Sequence, residues 1–254
     1  MFDSENTLTH NLRNQIRDLK DASVRETQQQ FVLEGIRACT DVLNADAVPD
    51  TVVLRSDAKE QSIELADNFS ARGSVVVQCG VKDMEKISQT KNAQDILCVL
   101  PYLVEKEIGD RVLVLDSVSD PGNVGTIIRT AAWFGLTDVI LGEGCADLYN
   151  DKTIRSTAGS MFAVNILRKK NIYSTLAGLH SHTKIATVAR NGVLLRNAEV
   201  PGKYAIVIGS EAHGLPKEVV QLCNVQVTIQ GGHGTESLNA AIAAAILCYE
   251  VSNE

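Results

Sequence analysis

The stretch "DPGNVGTIIRTAAWFG", Asp120 to Gly135, decides how the second half of the chain is read. Its opening Asp-Pro-Gly-Asn is turn chemistry, and Ile127, Ile128, Ala131 and Ala132 then recur at the spacing of one helical face. Before it stands "RVLVLDSV", a buried strand, and after it "TDVILGEG", the next strand, ending in a glycine loop. A strand, a helix and a second strand in that order make a parallel α/β unit. Packing alone does not explain two polar residues in this helix, Asn123 in its entry turn and Arg129 among the apolar positions.

Outward from that unit the alternation continues. Toward the C-terminus, "NDKTIRSTAGSMF" reads as helix, "AVNIL" as strand, residues 171 to 180 as helix and "KIATVA" as strand. "YAIVIGSEAHG" is a strand entering a glycine loop, "PKEVVQLC" opens a helix with proline, and "VQVTIQ" is the last strand before the closing helix "TESLNAAIAAAILCYEVSNE". Toward the N-terminus, "FVLEGIRACTDVLNA" has helical periodicity from Phe31 to Ala45, and "KEQSIELADNFSARG" is a helix ending at Gly73. "TVVLR", "SVVVQCG" and "DILCVLPYL" supply strands, which predicts a small, mainly parallel sheet. The polar segment 101–110 holds Pro101 and Gly109 and separates a domain of residues 1–104 from one of residues 105–254.

The 254 residues, 44% of them hydrophobic, suit one large or two modest domains. The six cysteines, Cys39, Cys79, Cys98, Cys145, Cys223 and Cys248, lie far apart, without metal-ligand spacing, which predicts reduced, buried thiols, a cytoplasmic protein and no metal. The N-terminus lacks a signal core and the longest apolar run, "AAIAAAILCY", is well short of the about 18 residues of a membrane span, so no membrane association is expected. A net charge of −7 argues against indiscriminate nucleic-acid binding but leaves room for a local basic site. Two basic groups are candidates for one, Arg13, Arg17, Lys20 and Arg25 near the start and Arg168, Lys169 and Lys170 later.

Open α/β sheets bind ligands beyond the carboxyl ends of their strands. Here those ends carry "DSVSDPGN", "IGSEAHG" and "IQGGHGTESLN". No GxGxxG follows the first strand of either unit, and neither a P-loop nor a GxSxG elbow occurs, which excludes the familiar dinucleotide, polyphosphate and hydrolase cradles. Gly209 and Gly214 permit tight turning, and Glu211 adds a carboxylate. Thr235 and Glu236 suit a helix N-terminus, and Ser237 and Asn239 place a hydroxyl and an amide in its first turn. The alanines that follow, Ala240, Ala241, Ala243, Ala244 and Ala245, allow close helix packing, in the core or at a subunit interface.

Together, "DPGNVGTIIRTAAWFG", "IVIGSEAHGLP" and "VTIQGGHGTESLNAAIAAAILCYE" resemble, in order, the three motifs of the SpoU (TrmH) family of RNA ribose 2′-O-methyltransferases in the SPOUT superfamily. The segment "IRDLKDASVRETQQQFVLEGIRACTDVL" is similar to that family's small substrate-binding domain, though "RETQQQ" has a diluted basic character. The resemblance implies an α/β fold with a deep C-terminal trefoil knot and a small N-terminal α/β domain. It also implies a homodimer through the knotted domain and S-adenosylmethionine as cofactor, held by Thr187, Val188, Ala189, Gly209, Gly214, Ile229 and Leu238. The same likeness makes Arg129, Asn123, Glu211, Ser237 and Asn239 the reaction centre, with Arg129 acting on the ribose hydroxyl and Glu211 alternatively bracing Arg129 as an ion pair. A guanidinium is an awkward base, its pKa lying above ~12, so an orienting and charge-stabilising role fits better. The implied substrate is structured RNA, ribosomal first and transfer RNA second; a non-catalytic RNA-binding protein would be expected to lack the motif residues present here.

Overall fold

In a computed structural model, which describes residues 7–200, 202–231 and 237–252, the two halves of the sequence build separate sheets. One compact unit takes the chain up to Leu103 together with Tyr149–Gly159, and the other takes Val104–Leu148 and the chain from Ser160 on.

The first unit begins with α1 (His10–Asp18) and α2 (Ala22–Gln28), followed by β1 (Gln30–Glu34), α3 (Ile36–Asn44), β2 (Thr51–Arg55), α4 (Glu60–Ala71), β3 (Val75–Cys79), α5 (Val81–Ile87) and β4 (Ile96–Pro101). The helix expected from Phe31 to Ala45 is therefore a strand and a shorter helix. Phe31, Val32 and Leu33 are all buried in β1, and Gly35, at φ +97°, breaks the chain before α3. A short apolar run followed by a helical face reads as one continuous periodicity in the sequence, and only the glycine's left-handed backbone divides it.

The sheet order is β1-β4-β2-β3, and only β2 and β3 are parallel, so the expected mainly parallel sheet is mainly antiparallel. The reason lies in the connection after β3. Seven-residue α5 and the loop after it stay at the end of the sheet where β1 and β2 finish: Gly35 N donates to Ile96 O at 2.9 Å and Arg55 N to Asp95 O at 2.9 Å. The strand that starts there, β4, must run back against both neighbours, and its five residues from Ile96 to Leu100 are buried.

The second unit contains β5 (Arg111–Leu115), α6 (Pro121–Trp133) and β6 (Asp138–Leu141). Next come α7 (Asp151–Thr157), β7 (Asn165–Arg168), α8 (Ile172–Gly178) and β8 (Thr183–Thr187). The chain ends with β9 (Val193–Leu194), β10 (Tyr204–Ile208), α9 (Lys217–Leu222), β11 (Val225–Thr228) and α10 (Ala240–Ser252). The two-residue strand β9 has no counterpart in the sequence reading, and it pairs with β11 at the sheet edge. Although α7 falls between β6 and β7, it packs with the first unit. Tyr149 stacks on Tyr102 with ring centroids 3.8 Å apart, accepts a hydrogen bond from Leu103 N at 2.9 Å and lies 4.7 Å from Phe31. Ala158 and Gly159, at φ 47° and 82°, end that helix before a 3-10 turn at Ser160–Phe162.

The seven strands of this sheet run parallel in the order β7-β6-β5-β10-β8-β11-β9. Strands β5 and β10 are almost wholly buried, as the continuous apolar runs "VLVL" and "YAIVI" require of strands covered on both faces. The order places the carboxyl ends of β5, β10, β8 and β11 side by side. That row positions the site.

Candidate active site

Helix α6 starts where its sequence says it must. The Asp120 carboxylate accepts from Asn123 N at 2.9 Å, Pro121 occupies the first turn, and Val124, Gly125, Ile127, Ile128 and Ala131 form the buried face. Thr126, Arg129 and Trp133 are left on the exposed side. Arg129 stands six residues beyond Asn123, about 9 Å along the axis, and a long helical side chain points back toward the helix start.

The Asn123 amide is taken up on both sides. Its Nδ2 donates to Glu211 Oε1 at 2.5 Å, and its Oδ1 accepts from Asn239 Nδ2 at 3.1 Å. Asn239 Oδ1 in turn accepts from Ala241 N at 2.9 Å and Ile242 N at 3.2 Å, capping α10. The loop after β10, the entry of α6 and the start of α10 thus form one hydrogen-bonded chain, three of the five residues expected at the reaction centre. Helix α10 begins only at Ala240, so Ser237 and Asn239 do not sit in its first turn as expected; Asn239 is its cap and Ser237 lies before it, exposed. Thr235 and Glu236 lie outside the described residues.

Arg129 and Glu211 do not brace one another. Glu211 accepts from Asn123, and Arg129 is exposed and forms no hydrogen bond or ion pair among the described residues. An exposed cation with no partner among the described residues is free to meet an anion or a polarised oxygen brought by a ligand.

Of the expected cofactor residues, Thr187 to Ala189, Gly209 and Ile229 lie at the ends of three adjacent strands, β8, β10 and β11, while Gly214 closes the loop after β10 and Leu238 immediately precedes the cap of α10. Thr187 closes β8, with its hydroxyl donating to Val207 O at 2.8 Å, and Val188 N donates to Val227 O at 2.9 Å; Ala189 follows, exposed. Gly209 begins the loop after β10, which turns back so sharply that Gly214 N donates to Ser210 O at 2.9 Å and His213 N to Ser210 Oγ at 3.1 Å. A Cβ on Gly209 would lie 2.3 Å from the Gly214 carbonyl carbon and 2.6 Å from Leu215 N, so only glycine lets the loop close. Ile229 is half-buried beyond β11, and Leu238 is 43% exposed, an apolar side chain open to an apolar guest.

Sequence reasoning missed what frames these loops. Gly192 N donates to Thr228 Oγ1 at 2.9 Å, fastening the excursion after β8 to β11. Asp116, at the end of β5 beside the Gly209 loop, has its carboxyl pushed up by burial, a shift opposed by the Ser117 hydroxyl. Among the described residues no group of three or more His, Cys, Asp or Glu side chains is placed to hold a metal ion, and no helix is long and apolar enough to cross a membrane.

The basic groups also find their places here. Arg13 pairs with Asp83 at 2.8 Å, Arg17 with Asp18 at 2.8 Å, and Lys20 donates to Lys86 O at 3.4 Å. Arg25 is 4% exposed and its Nη1 donates to Leu19 O and Lys20 O at 2.8 and 2.9 Å, locking the turn between α1 and α2. Lys169 pairs with Glu105 at 2.5 Å. The N-terminal group is a set of internal fasteners, which is why its charge is no guide to a binding face.

Comparison with known proteins agrees with this layout. The family described as SpoU rRNA methylase matches residues 110–249, and the MRM3-like substrate binding domain matches residues 14–98. The chain is 30% identical to 23S rRNA (guanosine(2553)-2′-O)-methyltransferase RlmP of Bacillus subtilis over 89% of its own length and 90% of that protein's. A solved TrmH-family structure from Porphyromonas gingivalis superposes with a TM-score of 0.83 at 30% identity, covering 96% of this chain and 98% of that one. An AdoMet-bound rRNA methyltransferase from Sinorhizobium meliloti superposes with a TM-score of 0.84 at 28% identity, covering 98% and 96%. The family match over residues 110–249 takes in all three motifs that meet around Asn123, and the chain belongs to the SpoU rRNA methylase family.

Proposed function

We propose that the protein transfers a methyl group from S-adenosylmethionine to a ribose 2′-hydroxyl of ribosomal RNA. The observation that carries this reading is the chain from Glu211 through Asn123 to Asn239, which joins the three motifs, with Arg129 on the same helix as Asn123, exposed and without a hydrogen bond or ion pair among the described residues. The 2′-O-methyltransferase from Bacillus subtilis and the AdoMet-bound structure support substrate and cofactor.

The residues present fit that cofactor. Three neighbouring strand ends, the loop after β10 and the entry to α10 offer Thr187, Val188, Ala189, Gly209, Gly214, Ile229 and Leu238, a set of backbone groups and mostly apolar side chains with no cationic member, suited to an uncharged adenosyl group rather than a polyphosphate. When bound, S-adenosylmethionine supplies a methyl carbon on a sulfonium sulfur that an oxygen nucleophile can displace. The protein's own part is to align the ribose oxygen with that carbon, and alignment of this kind supplies several kcal/mol of rate, of order 7–11 at its fullest. Arg129, a cation, holds the hydroxyl oxygen and stabilises the charge it gains as its proton passes to water, the ribose O–CH₃ bond forming as the sulfur–methyl bond breaks to leave neutral S-adenosylhomocysteine. Ser237 lies at the ribose edge, and Asn123, Glu211 and Asn239 fix the loops around it.

The working form is a homodimer through this domain, with the C-terminal chain threaded as the family's knot. Support for the dimer comes from an apolar ridge on α6 and α10, where Trp133 is 83% and Ile242 53% exposed, with Ile246 and Tyr249 beside them. Six unpaired thiols favour the reducing cytoplasm, and recovery of the protein in a membrane fraction would oppose that placement.

The deciding experiment measures transfer of labelled methyl from S-adenosylmethionine to total RNA from cells lacking the protein, followed by mapping of the labelled ribose. Label in one ribosomal position is the expected result; label in transfer RNA alone moves the substrate, and cofactor binding without transfer to any RNA refutes the enzyme. Arg129→Ala is expected to lose at least 100-fold in kcat with cofactor affinity retained, in line with removal of one group that stabilises developing charge.

A further inference from the structure

Glu34, the last residue of β1, accepts an unusual number of hydrogen bonds from a single loop. Its Oε1 takes Ser88 Oγ at 2.7 Å, Gln94 N at 2.9 Å and Thr90 Oγ1 at 3.3 Å, and its Oε2 takes Gln89 N at 2.9 Å. The segment Ser88–Gln94 is thereby tied down at a carboxylate and at buried Ser88, while Lys91, Asn92 and Gln94 are exposed.

The same loop is the meeting point of three element ends. Gln94 Cγ lies 3.3 Å from where a Cβ on Gly35 would stand, at the start of α3; Arg55, at the end of β2, donates to Ala93 O at 3.3 Å; and Lys59 N, at the start of α4, donates to Asp95 Oδ2 at 3.1 Å. Around it are exposed Arg37, Lys59 and Lys91, whose side chains make no hydrogen bond or ion pair among the described residues. Within the first unit only Lys82 shares that property among the described residues, because every other basic side chain has an internal partner. Of the acidic neighbours, Asp57 is held by Arg55 and Asp95 by Lys59 N, while Asp41, one turn on from Arg37 along α3, feels its charge without forming an ion pair, and Glu60 follows Lys59 at the start of α4.

We infer that this Glu34-braced end of the first unit is where the substrate RNA backbone docks, with Arg37, Lys59 and Lys91 as its phosphate contacts and the exposed Asn92 amide available to sugar or base edges. The inference rests on the RNA-methylation reading and deepens it. Phosphate contacts position a substrate without reading its sequence, so an otherwise acidic protein needs few of them, held in a fixed arrangement. Glu34 is a positioning residue that keeps the loop in that arrangement.

The test uses the full-length protein and a 23S rRNA transcript, measuring binding across a salt series and methyl transfer in parallel. The triple variant Arg37→Ala, Lys59→Ala, Lys91→Ala is expected to bind roughly tenfold or more weakly, with a log–log salt slope shallower by about two to three, since each phosphate contact contributes about 0.7–0.9. KM for RNA rises while KM for S-adenosylmethionine stays, and Lys82→Ala behaves as wild type. Glu34→Gln is expected to raise KM for RNA with cofactor affinity unchanged. A triple variant that is folded by its melting curve yet keeps the wild-type slope and KM overturns the docking edge. Wild-type binding with no methyl transfer refutes the enzymatic reading alone, because the salt slopes still report on the edge; no wild-type binding to the transcript overturns the edge as well.

Discussion

Asn123 donates to the Glu211 carboxylate at 2.5 Å across 88 residues of sequence, and through its other amide atom it accepts from Asn239. Only a side chain that is donor and acceptor at once can occupy this place between a carboxylate and a second amide. Asn123→Asp removes the donor and sets one carboxylate against another, so the loop after β10 is pushed away from α6. Expected are a loss of at least tenfold in kcat/KM and a melting point within a few degrees of wild type, because the network is solvent-accessible and a net hydrogen bond contributes about 1 kcal/mol. Steady-state kinetics with thermal melts checks this, and wild-type kcat/KM in the aspartate variant would refute the bridging role.

At Gly209 the shape of the loop after β10 depends on the backbone rather than on a side chain. A Cβ there would meet the backbone carbonyl of Gly214 at 2.4 Å, and main chain cannot rotate away as a side chain tip would. Gly209→Ala is therefore expected to reopen the loop and weaken S-adenosylmethionine binding tenfold or more, read by calorimetry. Gly178→Ala, where nothing lies within 4 Å, serves as the control and is expected to bind normally. Equal affinities in the two variants would remove Gly209 from the cofactor site.

Much of this was legible in the sequence because local chemistry and tertiary role coincide. The Asp120-Pro121 start of α6, the buried runs of β5 and β10 and the glycine loop at 209 to 214 each carry their structural reason in adjacent residues. Where the reason is remote, sequence fails. The direction of β4 depends on a loop tied to Glu34 and Arg55, the membership of Tyr149 in the first unit depends on rings at Tyr102 and Phe31, and the true cap of α10 depends on which of several polar residues the helix end selects. Arg25 is the plainest case: a basic residue in a basic stretch reads as surface, yet its carbonyl partners lie five and six residues back and draw it inside.

Arg25 accordingly tests stability rather than binding. Arg25→Ala leaves the Leu19 and Lys20 carbonyls without their guanidinium donor, and an orphaned buried acceptor costs about 1–3 kcal/mol. The expected variant has a lower denaturation midpoint and, well below its melting temperature, unaltered affinity for an rRNA transcript. Weaker RNA binding at unchanged stability would return Arg25 to the substrate surface.

The apolar ridge of α6 and α10 predicts the assembly state. The alanines of α10 divide by face: Ala240, Ala241 and Ala244 are buried with Leu247, Cys248 and Val251, whereas Ile242, Ile246 and Tyr249 stay exposed beside Trp133. Close packing of α10 on α6 thus uses the small residues inside one chain, and the large ones stay on the surface, with Phe134 supporting Tyr249 edge-on at 6.2 Å. Ile242 lies in the first turn of the helix that Asn239 caps, so a second copy pressed on it would also steady the cap that holds Asn123. Trp133→Glu with Ile242→Glu is expected to give a monomer in sedimentation equilibrium and to lose methyl transfer together with the dimer, whereas wild type sediments as a dimer. A wild-type monomer, or a charged double variant that remains dimeric, would place the interface elsewhere.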